Sequence, residues 1–72
     1  MLTLRVADEM TVTIIECRLY KIHLVCVDDA PEYRAVLIVR DRKIYYKNQK
    51  IKAKVIRLHG LDVDLIPIAV FV

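Results

Sequence analysis

Apolar and polar residues alternate in short runs along this chain, and no stretch of ten residues carries a convincing 3.6-residue helical repeat. That pattern confines the fold to strands. Runs over Leu2–Val6, Thr11–Cys17, Ile22–Val27, Arg34–Arg40, Lys43–Lys47, Lys50–Leu58 and Val63–Val72 are separated by turn sequences. The clearest turns are Ala7-Asp8-Glu9, Asp28-Asp29-Ala30-Pro31-Glu32, Asn48-Gln49 and His59-Gly60-Leu61-Asp62. Arg18-Leu19-Tyr20-Lys21 has no Gly, Asn or Asp and reads as a sharp bend. The expectation is one all-β domain over residues 1–72, a small barrel or compact sandwich of about six antiparallel strands with little or no helix. Val and Ile outnumber Leu and Ala, which favours the same class.

Several runs predict more than a strand. Val12 and Ile14 share a face, and the Ile14-Ile15 pair breaks the alternation, so a bulge is expected there. Ile22, Leu24 and Cys26 face one way and His23 the other. Arg34–Arg40 is apolar on both faces (Ala35, Leu37, Val39 against Val36, Ile38), as a central strand would be. Leu65, Ile66, Ile68, Val70, Phe71 and Val72 are also apolar on both faces, yet Pro67 among them cannot donate to a ladder. Those six residues form the expected oligomer interface, on an edge strand that a second chain covers. The competing arrangement is a central strand bulged at Pro67.

A chain of 72 residues buries only about 60% of its unfolded surface and needs support. Cys17 and Cys26 offer at most one disulfide, and the Cys and His residues are not at zinc spacing, so no metal or cofactor is expected. Self-association is the support left, and a homo-oligomer, at simplest a homodimer, is expected. Arg5 and Asp8 interrupt any signal-peptide pattern, and the Leu65–Val72 run is too short for a bilayer. A cytoplasmic chain with reduced thiols and no membrane partner follows as an expectation.

Charge is segregated. Nine of twelve Lys and Arg lie between Arg34 and Arg57, where Asp41 is the single acid, so the segment carries +8 and the rest −5. If Asn48-Gln49 is a two-residue hairpin loop, Lys47 faces Lys50, Tyr45 faces Lys52 and Lys43 faces Lys54. Ile44 and Tyr46 then point to the core with Ile51, Ala53 and Val55. Lys43, Tyr45, Lys47, Lys50, Lys52 and Lys54 share the outer face. Like charges opposite one another destabilise a ladder, so the face implies an anion, with phosphates on the lysines and a base stacked on Tyr45. Arg34, Arg40, Arg42 and Arg57 extend it. Solubility, an acidic protein partner, or the chain's own Asp28, Asp29, Glu32, Asp62 and Asp64 compete for the same lysines.

Catalysis is not expected. The chain has no serine and one glycine, and its carboxylate pairs Asp28/Asp29 and Asp62/Asp64 fall at turns. A Cys17–His23 dyad is less natural than a buried cysteine and an exposed strand histidine.

The first forty-odd residues resemble the carbon storage regulator family of small RNA-binding translational repressors. The likeness is carried by Met1-Leu2-Thr3-Leu4-Arg5, by Asp8-Glu9-Met10-Thr11-Val12-Thr13-Ile14-Ile15, by Ile22-His23-Leu24 leading to Ala30-Pro31-Glu32, and by Val39-Arg40-Asp41 followed by Ile44-Tyr45. It implies an intertwined β dimer and RNA contacts from Leu4, Arg5 and Arg40. The chain lacks the family's Gly-Glu-Thr-Leu segment between Arg5 and Asp8, its middle glycines and its C-terminal helix. Together these readings give a small regulatory β protein that binds nucleic acid, RNA before DNA. The alternative is a structural or assembly module of the kind a virus or mobile element carries.

Overall fold

The computed structural model describes residues 3–70, for Val70 the backbone alone. Among the described residues five strands form: β1 (Glu9–Glu16), β2 (Ile22–Val27), β3 (Arg34–Ile38), β4 (Lys50–His59) and β5 (Asp62–Val70). They close into a barrel in the order β1-β2-β3-β5-β4. The all-β barrel expectation holds, with five strands in place of about six. One pairing, β3 with β5, is parallel, because two connections and the whole of β4 separate them in the chain.

Each strand is built on two-residue alternation. Val12 and Ile14 of β1, Val25 and Val27 of β2, Leu37 of β3, Ile51 and Val55 of β4, and Leu65 of β5 fill the interior. The expected bulge falls at Ile15: Ile14 pairs with Val25, but Glu16 pairs with Leu24. Ile15 is left outside the ladder and points outward. β2 is apolar on both faces, and its inward set is His23, Val25 and Val27, the reverse of the reading that exposed His23. The interior accepts a histidine because its needs are met there. His23 Nδ1 accepts a 2.9 Å hydrogen bond from the Arg18 N–H, and its ring lies 6.0 Å from that of Tyr45. Cys17 is exposed and Cys26 half-buried, both as free thiols, so the buried-cysteine expectation is also reversed.

Two irregular segments plug the barrel's ends, and they replace the strands expected over Leu2–Val6 and Lys43–Lys47. Residues 3–8 carry Leu4 into the lower end, where its N–H donates to the Tyr33 hydroxyl at 3.3 Å. Residues 39–49 carry Val39 and Tyr45 into the upper end. A turn does form here, but about Lys47-Asn48, one residue before the expected Asn48-Gln49: the Gln49 N–H donates to the Tyr46 carbonyl at 3.1 Å and Asn48 sits at φ 68°. Its exit, however, pairs with β1, not with 43–47: Asn48 N–H donates to Ile14 O at 2.7 Å, and Ile14 N–H to Gln49 O at 2.9 Å. The hairpin that would have set lysine against lysine is therefore replaced. β1 places Glu9 opposite Lys54, Thr11 opposite Lys52 and Thr13 opposite Lys50, which removes the like-charge cost.

β5 resolves the Pro67 conflict by having both kinds of environment. From Asp62 to Leu65 it is paired with β3 on one side and β4 on the other. Beyond Leu65 only β4 pairs with it among the described residues, and its register slips between Pro67 and Ala69. Pro67 thus lies in the singly paired, bulged half, where a missing N–H is tolerated. Leu65 is sealed in the core and is no interface residue; Ile66 and Ile68 face outward. The Val70 side chain, Phe71 and Val72 lie outside the described residues.

Candidate nucleic-acid interface

The closure of the barrel sorts the charges by height. The upper rim is formed by the β1–β2 loop, residues 17–21, and the β3–β4 connection, residues 39–49. These two pieces are tied together: Val39 N–H donates to Lys21 O at 2.9 Å, Lys21 Nζ to Asp41 O at 3.2 Å, and Cys17 Sγ to Tyr45 O at 3.3 Å. This rim carries Arg18, Lys21, Arg40, Arg42, Lys43 and Lys47 against Glu16 and Asp41, a balance of +4. The lower half carries Arg5, Arg34 and Arg57 against Asp8, Glu9, Asp28, Asp29, Glu32, Asp62 and Asp64, a balance of −4. Lys50, Lys52 and Lys54 on β4 supply the remaining +3.

The expected lysine face is only half built. Lys50, Lys52 and Lys54 do share the outside of β4. Lys50 Nζ, however, lies 2.7 Å from Asp28 Oδ2 and 2.9 Å from Thr13 Oγ1, and Lys52 Nζ lies 3.6 Å from Glu9 Oε1. Arg34 is held by Asp62 at 2.6 Å and Arg57 by Asp64 at 3.7 Å. The chain's own acids thus take four of the cations assigned to an external anion. Partial burial alone would raise the Asp28 carboxyl, but hydrogen bonds from Lys50 and Thr13, with the Lys50 charge, hold it below the usual carboxylate value.

Tyr45 is no stacking platform. It is 6% exposed, and burial, reinforced by the Asp41 carboxylate beside it, pushes its hydroxyl above the ordinary tyrosine value. The parity of 44–46 is the reverse of that expected: Ile44 and Tyr46 are exposed and Tyr45 is interior. Three consecutive apolar residues fit either parity, and the missing hairpin was what had fixed the choice. Leu4 is also interior, and Arg5 sits at the lower end, across the barrel from Arg40.

What gathers on the upper rim is Arg40, Arg42, Lys43 and Lys47 from the expected set, joined by Lys21, by Tyr20 and by Tyr46, which had been expected in the core. Tyr20 is 88% exposed and Tyr46 64%. Tyr20's signal was the anomaly at Arg18–Lys21, a bend with an aromatic and no turn former; nothing local marked Tyr46. Lys21 adopts φ 60°, a left-handed conformation that a long side chain rarely takes. Such strain concentrates where function demands a fixed loop shape. Asp41, one of the rim's two acids, has its Oδ1 occupied by the Lys43 N–H at 2.9 Å. His23, beneath this loop, is held below the usual histidine value by burial.

Among the described residues, no three His, Cys, Asp or Glu side chains gather as a metal site, and no helix is long and apolar enough to cross a membrane. No family model matches this chain, and no curated protein or solved structure is significantly similar to it.

Proposed function

We propose that this barrel binds single-stranded nucleic acid on its upper rim, without catalysis. One observation carries the reading: four cations with no acid partner among the described residues, Lys21, Arg42, Lys43 and Lys47, share two linked segments with two exposed tyrosines at the end where the barrel's positive charge is concentrated. Lysine and arginine take the phosphates and release counterions; tyrosine rings stack on unpaired bases, which a duplex does not offer. The β1–β2 loop is also one of the two loops with which five-stranded OB-type barrels hold oligonucleotides, an analogy of architecture alone. RNA is placed before DNA, and a role in regulating translation is favoured, because of the resemblance to the carbon storage regulator family. The lysines of β4 extend the attraction at long range, Lys54 foremost since it has no acid partner among the described residues.

The test is fluorescence anisotropy with labelled single-stranded RNA, single-stranded DNA and duplex across a salt series. Four to six phosphate contacts correspond to a log–log salt slope of about −3 to −4 for a single strand. Binding that ignores salt, or that favours duplex over single strand, overturns the proposal.

A further inference from the structure

The outside of β2, β3 and the upper half of β5 lies apart from the rim proposed above to bind nucleic acid, and it is aliphatic. Ile22 and Leu24 of β2 lie beside Ile38 and Val36 of β3. Ile38 in turn meets Ile66 and Pro67 across a cleft of about 230 Å³, whose rim holds Arg40 and Asp41, the latter's carboxylate already engaged by the Lys43 N–H at 2.9 Å. A second hollow of about 470 Å³ runs over Leu24 and Val36, with Arg34, Asp62 and Asp64 at its lower margin. A solvated sheet face is ordinarily polar. Here β2 and the upper parts of β3 and β5 are apolar on both sides, and Ile22 and Ile68 are each more than 40% exposed. Contiguous apolar surface of this kind marks an interaction site. Tyr33 lines the lower end of the second hollow, its hydroxyl taken by the Leu4 N–H, and the outward residues of β2, β3 and β5 add no aromatic ring among the described residues, so the face suits a protein more than a run of stacked bases.

We propose that the occupant is a second copy of this chain, docked antiparallel about a two-fold axis through the centre of this face. Charge complementarity selects that partner and that orientation. Arg40 stands at the upper end of the apolar face with no acid within ion-pair distance among the described residues; Asp62 and Asp64 stand at the lower end. A two-fold axis perpendicular to the strands brings Arg40 of each copy over Asp62 and Asp64 of the other, so one self-complementary patch makes the contact twice. The carboxylates keep lone pairs to spare beyond Arg34 and Arg57. Parallel stacking would set positive rim on positive rim and lose this match. The antiparallel pair leaves the two cationic rims at opposite ends, both open to nucleic acid. It also gives a barrel of this size the extra buried surface that small domains need.

Sedimentation velocity across a concentration series tests the interface. A species of twice the chain mass is expected to accumulate with concentration. Ile22→Glu with Ile38→Glu is expected to abolish it while circular dichroism stays that of the parent. Arg40→Asp, an exposed change that spares the core, is expected to weaken association about tenfold or more, and Asp64→Arg in the same chain to restore it. Tyr20→Ala with Tyr46→Ala, off this face, is expected to leave association unchanged, which separates the interface from the nucleic-acid rim. A chain that stays at single mass throughout, a dimer indifferent to Ile22→Glu with Ile38→Glu, or an Arg40→Asp defect that Asp64→Arg does not repair overturns the proposal.

Discussion

His23 joins the core to the loop above it. Its Nδ1 accepts the Arg18 N–H at 2.9 Å, so the imidazole serves as neutral acceptor and cannot do so once protonated. Burial lowers its affinity for a proton relative to the unfolded chain. Stability from this residue is therefore complete above about pH 6.5, the unperturbed value, and is lost as the pH falls below it. Asp28, held low by Lys50 and Thr13 against its burial, acts in the same direction at more acid pH. The thermal midpoint is expected to fall between about pH 7.5 and pH 5. His23→Asn offers an oxygen near the position of Nδ1 and does not titrate, so its midpoint should vary less over that range. Equal losses in parent and variant would show that the drop arises elsewhere. The three rim-side tyrosines are expected to separate cleanly. Tyr20→Ala and Tyr46→Ala should each cost about 1–3 kcal/mol of single-strand affinity. Tyr45→Phe, inside the barrel, should cost about 1 kcal/mol of stability and leave affinity alone.

Among the elements, the β4–β5 hairpin was the most legible. His59-Gly60-Leu61-Asp62 is a turn as read, and Gly60 sits at φ 60°, where only glycine is free of strain. A Cβ at Gly60 would meet nothing within 4 Å, so any loss on substitution comes from the backbone. Gly60→Ala is expected to lower unfolding free energy by about 1 kcal/mol, with Gly60→Asn losing less, seen as a shifted urea midpoint at unchanged slope. The strand over 34–38 was equally legible because both its faces are apolar, and Leu37 is fully buried there. Leu37→Ala should cost about 2–5 kcal/mol, a large part of what so small a domain possesses. The segment 43–47 was not legible. Its alternation matches a strand as well as a plug, and only the pairing of Asn48 and Gln49 with Ile14 shows that β4 takes β1 as its neighbour.

At the scale of the whole barrel, the decisive property is its polarity from end to end. Removing positive charge should matter by location, not by count. Arg42→Gln, Lys43→Gln and Lys47→Gln together are expected to flatten the salt slope of single-strand binding by about 2, as three lost phosphate contacts require. Lys50→Gln, Lys52→Gln and Lys54→Gln together should flatten it less, since Asp28 and Glu9 already neutralise two of the three. The candidate site was thus half visible in the sequence. Arg42, Lys43 and Lys47 stood out as charge, while Tyr20 and Tyr46 reach the same rim only because the two upper segments are hydrogen-bonded to each other.

Alternation, turn chemistry and the crowding of cations between Arg34 and Arg57 are local properties, and from them the chain alone settled that it is all-β, where most strands lie, and that its charge is unevenly placed. Which strand neighbours which, which face of β2 turns inward, and which acid sits beside each lysine depend on contacts between residues far apart in the chain. A run that is apolar on both faces satisfies the two-residue period in either orientation, so only closure of the barrel could choose.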